Sequence, residues 1–301
     1  MENKKILVGI PAYNEEENIT SLLQDLVSQK LDTIDCTILA VSDCSSDKTV
    51  ELVRSIDDKR VHLIDSNVRL GLSGVENLLI KKAKEYDALI IINGDMRVRD
   101  TLFVEKISNS ILSGVADISS CSLIEVNQVT LVGKALAAGN RIKRRVFERH
   151  NNGDNWFNCH GGARCFSPKF LNGFVFKEGV LEDFYSYLYC KKNNYNFKFI
   201  SDTVCYYSIP SNFADHLKQA RRFFIKKDYL ANEFGKDFVQ KYSSWPIFKI
   251  FFSFWVEFFS NPFNTITYGV VFLLTLIALR VENNKIAEQW DTSTSTRKVA
   301  L

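Results

Sequence analysis

The first hundred residues alternate short apolar runs with segments of helical spacing. Four apolar runs are expected to be buried strands: KILVGI (5–10), TILAV (37–41), VHLI (61–64) and ALIII (88–92). Helices are expected between them, with apolar residues spaced from Ile19 to Leu26, from Val50 onward, and over Leu72–Tyr86. This alternation predicts an α/β fold, a mostly parallel sheet flanked by helices. Ligands bind such sheets in the crevice at the carboxyl ends of the strands.

The second half of the chain has a different pattern, because its apolar positions are aromatic. Of the 23 Phe residues only Phe103 lies before residue 147, and the four Trp residues all follow it. Residues 263–281 carry no charge before Arg280, a length that spans a ~30 Å hydrocarbon core. Residues 245–260 are aromatic but contain Lys249 and Glu257, which favours a helix in the membrane interface. The alternative is two core helices of a soluble protein.

Composition narrows the class of protein without naming a function. The 301 residues are 46% hydrophobic and 24% charged, which is a globular balance, and the net charge of +3 gives no argument for nucleic acid. The seven cysteines are odd in number and lack C-x-x-C spacing, so we expect neither a disulfide framework nor a zinc site. This cysteine usage favours a location in the reducing cytosol. The N-terminus has too short an apolar run for a signal peptide.

The residues that follow the strands indicate the ligand. Pro11 to Glu17, after the first strand, contain no glycine-rich turn of the kind that binds dinucleotides or phosphates. Asp43 follows the second strand, and Asn93-Gly94-Asp95 follow the fourth. Carboxylates that converge where phosphates bind need a divalent cation between them, and their hard oxygens suit Mg²⁺ or Mn²⁺. The sequence therefore predicts a metal–nucleotide site.

Three segments in this order resemble the family 2 glycosyltransferases with the GT-A fold: VGIPAYNEEENI, VSDCSSDKT and INGDMRV. The resemblance implies that nucleotide contacts come from Pro11, Tyr13, Glu15, Asp43, Asn93 and Gly94. It also implies that Asp95, in the position of the D-x-D motif, binds the metal. Two residues depart from the family pattern. Asn93 replaces the first Asp of D-x-D, and Cys44 replaces a glycine.

The resemblance continues through the second half. Leu181-Glu182-Asp183 is similar to the family's E-D motif, which implies that Asp183 is the catalytic base with Glu182 beside it. Residues 219–223 resemble Q-x-x-R-W of membrane-embedded polysaccharide synthases, with Phe223 in place of Trp, and imply that Arg222 stabilises the leaving diphosphate. Residues 158–164 resemble the segment that borders the acceptor. The implied acceptor residues are Phe223, Gln219, Trp156, His160 and Gly161.

Structural roles remain open for several of these residues. Glu182 and Asp183 also suit the first turn of a helix, and a lone His160 in a glycine-rich turn is often structural. The basic run from Lys134 to Arg149 suits a membrane-surface helix or a solvated helix better than a nucleic-acid site.

The function expected from the sequence is an inverting, metal-dependent glycosyltransferase on the cytosolic side of a membrane. Its partners would be a nucleotide-diphosphate sugar, expected to be a UDP-sugar, a lipid-linked or polysaccharide acceptor, and Mn²⁺ or Mg²⁺, and no nucleic acid is expected. We expect a catalytic domain over residues 1–240, membrane-associated helices over 245–281 and a tail over 282–301. The alternatives are a soluble, nonprocessive homo-oligomer with interface helices at 245–281, and an inactive nucleotide-sugar-binding subunit.

Overall fold

The computed structural model describes residues 3–126, 128–178, 181–225, 227–281, 296 and 298–299, and it describes no side chain at 222–228 or 281. The strands are β1 (Lys4–Ala12), β2 (Ile34–Asp43), β3 (Val61–Ser66), β4 (Ala88–Ile92), β5 (Met96–Arg97), β6 (Ile118–Val126), β7 (Ala163–Phe166) and β8 (Phe197–Ser208). The helices are α1 (Ile19–Val27), α2 (Thr49–Arg54), α3 (Gly71–Lys82), α4 (Phe103–Leu112), α5 (Leu131–Phe147), α6 (Pro168–Leu171), α7 (Glu182–Lys192), α8 (Phe213–Ile225), α9 (Lys227–Phe234), α10 (Lys236–Ser243), α11 (Ile247–Ser260) and α12 (Pro262–Val281).

The strands form one mixed sheet in the order β3-β2-β1-β4-β7-β6-β8-β5. The strands β3, β2, β1 and β4 are parallel. Antiparallel β7 separates β4 from β6, and β5 is antiparallel to β8. The four expected strands are therefore confirmed in an α/β sheet. Because β1, β2 and β4 run in the same direction, the loops that follow them lie at one edge of the sheet.

Apolar side chains of β1 alternate between the two faces of the sheet, which places one core layer on each side. Ile6 and Val8 pack with α1 and α4 on one face. Leu7 packs with α3, α6 and α7 on the other, where most of the buried Phe and Tyr residues lie. The aromatic residues of the second half thus lie in one core layer as well as on the C-terminal helices.

The basic run on α5 has a role that differs from both expectations. Arg141 and Arg145 form ion pairs with Glu257 of α11, at 2.7 and 3.1 Å, and Arg144 pairs with Glu125 at 2.7 Å. Glu257 is only 1% exposed. The expectation of a membrane-surface or solvated helix is wrong for these three arginines, because they pair with buried carboxylates inside the protein, while the two ends of the basic run are exposed.

α12 packs against the N-terminal part of α5. Val271 of α12 joins Ala135 and Leu136 of α5 in one apolar cluster. At Gly139 a Cβ atom would lie 2.1 Å from Cε2 of Tyr268, so the contact needs the absence of a side chain at that residue.

The outward faces of α11 and α12 are apolar and exposed. The exposed large side chains on the two helices are Ile247, Phe248, Phe251, Phe252, Trp255, Val256, Phe259, Phe263, Ile266, Val270, Phe272, Leu273, Leu274 and Ile277. Among the described residues one helix, spanning Pro262–Arg280, is long and apolar enough to cross a membrane. Its apolar stretch has a mean hydropathy of 1.7, and 17% of that stretch is buried. Such low burial is unlike a core helix.

Most of the expected tail, residues 282–301, lies outside the described residues. Val299 is buried, and its backbone N–H donates to Oδ1 of Asn18 at 2.9 Å. The hydroxyl of Ser208 donates to the carbonyl of Lys298. The chain near its C-terminal end therefore lies against the start of α1.

Candidate active site

The loop after β1 and the loop after β2 are held together by hydrogen bonds. The side-chain oxygen of Asn14 accepts from the N–H of Ser46 at 2.8 Å, and the N–H of Glu15 donates to Oγ1 of Thr49 at 2.8 Å. Asn14 has a φ of 55°, a left-handed conformation that Asn tolerates better than most residues. The predicted nucleotide residues Tyr13 and Glu15 thus lie on a fixed pair of loops.

Asp43 is buried at the end of β2, and its carboxylate is bonded to the start of α3. The N–H groups of Leu70 and Gly71 donate to its two oxygens at 2.5 and 3.0 Å. Arg69 lies 3.3 Å from the same carboxylate, and its guanidinium carbon lies 3.1 Å from the ring centroid of Tyr13. Nucleotide binding by Asp43 and Tyr13 stays a prediction. The structure places one further residue, Arg69, beside Asp43 and Tyr13. The sequence motifs did not identify Arg69, because it follows a strand that carries none of them.

Cys44 has a φ of 61°, in the left-handed region that favours glycine. This explains the glycine that the family pattern has there. Cys44 in place of glycine therefore adds backbone strain to the loop after β2.

The Asn93-Gly94-Asp95 segment lies directly against the loop after β1. The N–H of Gly94 donates to the carbonyl of Pro11 at 3.1 Å. A Cβ atom on Gly94 would lie 3.0 Å from Cγ of Glu15 and 3.2 Å from the carbonyl of Pro11, so glycine permits this approach. The structure brings these four predicted residues, Pro11, Glu15, Asn93 and Gly94, to one edge of the sheet.

The side-chain oxygens of Asn93 and Asp95 suit a divalent cation whose other ligands come from a nucleotide diphosphate. Oδ1 of Asn93 is buried and has no hydrogen-bond partner among the described residues, and Asp95 follows two residues later. The described residues contain no group of three or more His, Cys, Asp or Glu side chains placed to bind a metal. Mg²⁺ sites with one or two carboxylates, completed by phosphate oxygens and water, are common. One carboxylate and one amide oxygen therefore suit a metal carried with a nucleotide diphosphate.

The glycine-bearing segment predicted to border the acceptor lies beside the Asn93-Gly94-Asp95 segment. The N–H of Asn93 donates to the carbonyl of Gly162 at 3.1 Å. A Cβ atom on Gly161 would lie 3.9 Å from Nδ2 of Asn93. The ring of His160 is held by a 2.8 Å hydrogen bond between Nε2 and the carbonyl of Cys121. The positions agree with an acceptor border, and the roles of His160 and Gly161 stay predictions.

Glu182 and Asp183 form the first turn of α7. Oε1 of Glu182 accepts from the hydroxyl of Ser73 on α3 at 3.1 Å. Oδ1 of Asp183 accepts from the N–H of Phe184 at 2.7 Å, and the Asp183 side chain is half-buried. Asp183 therefore contacts the backbone of its own turn and still reaches solvent, which a base that receives a substrate hydroxyl needs.

A charged pair that the sequence did not predict lies beneath this turn. Arg164 on β7 is 1% exposed and its Nη2 donates to Oε1 of Glu76 on α3 at 2.6 Å. Burial raises the pKa of Glu76, and the guanidinium of Arg164 opposes that rise. The available signal was a charged residue inside each of two apolar patterns, ARCF and GVENLL.

Trp156 lies in an aromatic cluster between α7 and the short segment that precedes α11. Its ring centroid is 5.2 Å from that of Phe184 and 6.1 Å from that of Trp245. The cluster joins the start of α7 to the C-terminal helices. Acceptor binding by Trp156 stays a prediction.

The segment similar to Q-x-x-R-W lies on α8. Gln219 is half-buried on this helix, which packs against α9 and α12. The side chains of Arg222 and Phe223 lie outside the described part of the structure, so their roles stay predictions.

Comparison with known proteins gives a family match over more than half of the chain. Residues 7–173 match the model of glycosyl transferase family 2. A curated relative, the poly(ribitol-phosphate) beta-N-acetylglucosaminyltransferase TarS of Staphylococcus aureus strain Mu50, is 30% identical over 101 residues. That stretch is 33% of this chain and 18% of the relative.

Solved structures share the fold at low sequence identity. A mannosyltransferase from Pyrobaculum calidifontis in complex with GDP-Man and Mn²⁺ has a TM-score of 0.57 at 17% identity, over 93% of this chain and 76% of that one. S. aureus TarS in complex with UDP-GlcNAc has a TM-score of 0.55 at 17% identity, over 79% and 72%. Glucosyl-3-phosphoglycerate synthase from Mycobacterium tuberculosis, with Mn²⁺, UDP and glucosyl-3-phosphoglycerate, has a TM-score of 0.56 at 14% identity, over 77% and 80%.

Proposed function

Because the chain belongs to glycosyl transferase family 2 and has the GT-A fold, we propose that this glycosyltransferase is inverting and metal-dependent and uses a UDP-sugar. The observation that carries the proposal is the meeting of three segments at one edge of the sheet. The Asn93–Asp95 loop contacts both Pro11 in the segment expected to bind the nucleotide and Gly162 in the segment expected to border the acceptor.

In the proposed reaction, Asp183 accepts the proton of the acceptor hydroxyl while the hydroxyl oxygen bonds to the anomeric carbon. The bond from that carbon to the diphosphate breaks on the opposite face, and UDP leaves with the electron pair. General bases of this kind contribute about 10²–10⁴-fold. In-line attack of this form inverts the anomeric centre.

Asp95 and the amide oxygen of Asn93 are the residues that would bind Mn²⁺ or Mg²⁺. A metal there supplies positive charge to the leaving diphosphate. Two of the structures of similar fold contain Mn²⁺, which supports the choice of metal. Arg222 would add charge on the same side, and Gln219, Phe223, Trp156, His160 and Gly161 would line the acceptor side.

The outward apolar faces of α11 and α12 support a membrane location and a lipid-linked or polysaccharide acceptor. Phe248 is 92% exposed, Phe259 78% and Phe252 72%. Aromatic side chains of this kind favour the interface between headgroups and acyl chains. In this proposal the catalytic domain faces the cytosol, and the acceptor reaches the cleft from the membrane.

The reaction is tested by UDP release from a panel of UDP-GlcNAc, UDP-glucose and UDP-galactose with Mn²⁺ and membrane lipid extract. We expect release with one sugar, loss of release with EDTA, and recovery on adding Mn²⁺. Asp183→Asn should reduce kcat by about 10²–10⁴-fold with unchanged affinity for UDP and Mn²⁺. Retained turnover in Asp183→Asn would remove that residue from the role of base.

The membrane location is tested by fractionation of cells that express the full chain without detergent. We expect the enzyme in the membrane fraction, and Phe248→Ser/Phe252→Ser to release part of it. Active, dimeric protein in the soluble fraction would instead support the alternative in which these helices form an interface between copies.

A second function is favoured by Asn93, which leaves one carboxylate in place of two. This alternative is a nucleotide-sugar-binding subunit without turnover. Binding of UDP with Mn²⁺ but no release from any sugar in the panel would support it over the enzyme.

A further inference from the structure

We propose that Arg164, together with Glu76, is a positioning residue that holds the first turn of α7 and thereby orients Asp183 toward the acceptor hydroxyl. The inference rests on the proposed function, because it takes Asp183 as the base. It adds a residue on β7 and one on α3 to the parts of the site that determine its rate.

Arg164 contacts the backbone of the turn directly. Its Nη1 donates to the carbonyl of Glu182 at 3.1 Å and to Oγ of Ser186 at 3.0 Å. The other terminal nitrogen donates to Oε1 of Glu76 at 2.6 Å. The bond from Nη2 to Glu76 therefore orients the planar guanidinium, and the bonds from Nη1 hold α7.

Ser186 extends this support to the next carbonyl. Its hydroxyl accepts from Arg164 and donates to the carbonyl of Asp183 at 2.9 Å. Two consecutive carbonyls of the turn, those of Glu182 and Asp183, are thus connected to one guanidinium. A turn held at two successive peptide units keeps the Asp183 Cα–Cβ bond in one direction.

The pair is poorly suited to a purely stabilising role. Nε of Arg164 and Oε2 of Glu76 are buried and have no hydrogen-bond partner among the described residues. Unpaired buried polar atoms destabilise the folded state, and buried ion pairs are often replaceable by apolar residues without loss of stability. Placement of Asp183 gives a functional reason for a charged pair at this depth.

α3 connects this support to the side that would bind the nucleotide. Asp43 accepts from the N–H groups of Leu70 and Gly71 at the start of the helix. Ser73, in the first turn of the helix, donates to Glu182, and Glu76, three residues later, accepts from Arg164. Residues three apart lie on the same helix face. The turn that carries the proposed base and the loop that would bind the nucleotide are therefore both hydrogen-bonded to α3. This shared contact keeps the acceptor hydroxyl in line with the anomeric carbon of the donor.

The test uses two variants of the full chain, assayed by UDP release with the panel sugar that gives the fastest turnover. Arg164→Met/Glu76→Gln removes both charges and leaves neither one buried alone. We expect kcat to fall by about 10–100-fold, because a displacement of about 1 Å costs this much, while KM for the sugar nucleotide and calorimetric affinity for UDP with Mn²⁺ stay unchanged.

Ser186→Ala gives a smaller test that does not depend on folding of the charge-free pair. Its matched control is Ser108→Ala on α4, since Ser108 is also fully buried and its hydroxyl donates to a carbonyl of its own helix, that of Val104, at 2.7 Å. We expect about a 3–10-fold loss of kcat in Ser186→Ala and no loss in Ser108→Ala, with similar melting temperatures for the two variants.

Wild-type kcat in either folded test variant overturns the positioning role, as does a loss that appears in KM or in UDP affinity instead. These outcomes differ from failure of the proposed function. If Asp183→Asn keeps wild-type turnover, the base assignment is wrong whatever the Arg164 variant does. If Asp183→Asn is inactive and the Arg164 and Ser186 variants are fully active, only the positioning inference fails.

Discussion

The edge of the sheet that would bind the donor and the pair α11–α12 are held in place in opposite ways. At the donor edge, side chains such as Asn14 and Asp43 bond to the backbone of neighbouring loops within the first hundred residues. α11 is held to α5 by two buried side chains, Glu257 and Ser253, whose partners lie more than a hundred positions earlier. The first arrangement fixes atoms where chemistry needs them. The second attaches an apolar surface, so chemistry and attachment are expected to be separable by mutation.

The largest expected effect breaks the chemistry and leaves attachment intact. Asp95→Ala removes the carboxylate proposed to bind the metal, and we expect UDP release to fall by at least about 100-fold. Asp87→Ala is the matched control, because Asp87 lies just before β4 at its opposite end and bonds to the N–H of Lys5. An Asp95→Ala enzyme with undiminished, Mn²⁺-dependent release would contradict the assignment.

The next effect breaks attachment and leaves the chemistry intact. Glu257→Gln leaves Arg141 and Arg145, which are partly exposed, without their charge partner, and we expect the α11–α5 contact to lose about 1–3 kcal/mol of stability. Limited proteolysis measures this as faster cleavage between α10 and α12. The kcat for UDP release should stay near that of the wild type, and a large loss of kcat would show that the two regions are coupled.

A smaller, pH-dependent effect sharpens the same comparison. Burial raises the pKa of Glu257, but the hydrogen bonds and charges of Arg141 and Arg145 outweigh it and hold the pKa below its ordinary value of 4.5. A carboxylate with a depressed pKa stabilises the folded state above its unfolded pKa, and this contribution is lost as pH falls through the folded pKa. The melting temperatures of wild type and Glu257→Gln should therefore differ at pH 7 and converge as the pH falls below 4.5 and through the folded pKa of Glu257. A constant difference down to acid pH would contradict the ion-pair origin.

The smallest effect concerns backbone strain at the donor edge. Cys44 has a φ of 61°, and Cys44→Gly removes the Cβ that disfavours this conformation. The gain of about 1–2 kcal/mol is partly offset by about 0.4–1 kcal/mol from the freer unfolded chain. We expect a net stabilisation of at most about 1.6 kcal/mol, measured by denaturant unfolding. Destabilisation by glycine would mean that the Cys44 side chain makes contacts that matter more than the strain.

Local patterns predicted the strands and helices of the first 92 residues, because strands and helices of this kind are set by periodicity within about ten residues. The apolar run at 5–10 lies within β1, the run at 88–92 coincides with β4, and Leu72–Tyr86 covers nearly all of α3 and the turn after it. The motifs also predicted which loops meet, as the contacts of Gly94 with Pro11 and Glu15 show.

Long-range charge partners could not be predicted from these patterns. The arginines of α5 gave the same signal as a solvated or membrane-facing helix, and only the fold brings Glu257 to them. Arg164 and Glu76 are 88 residues apart, and nothing local pairs them. Arg69 was missed for the same reason, since its contact with Tyr13 depends on how β3 leads into α3.

The glycine at residue 139 sets a limit on how this chain can vary. With a Cβ atom 2.1 Å from the ring of Tyr268, even a methyl group there would act as a wedge between α5 and α12. Exposed apolar residues of α12 can exchange for one another at little cost, but residue 139 admits a single amino acid for as long as Tyr268 faces it. We therefore expect the two positions to change together across species, with a smaller residue at 268 wherever 139 gains a side chain.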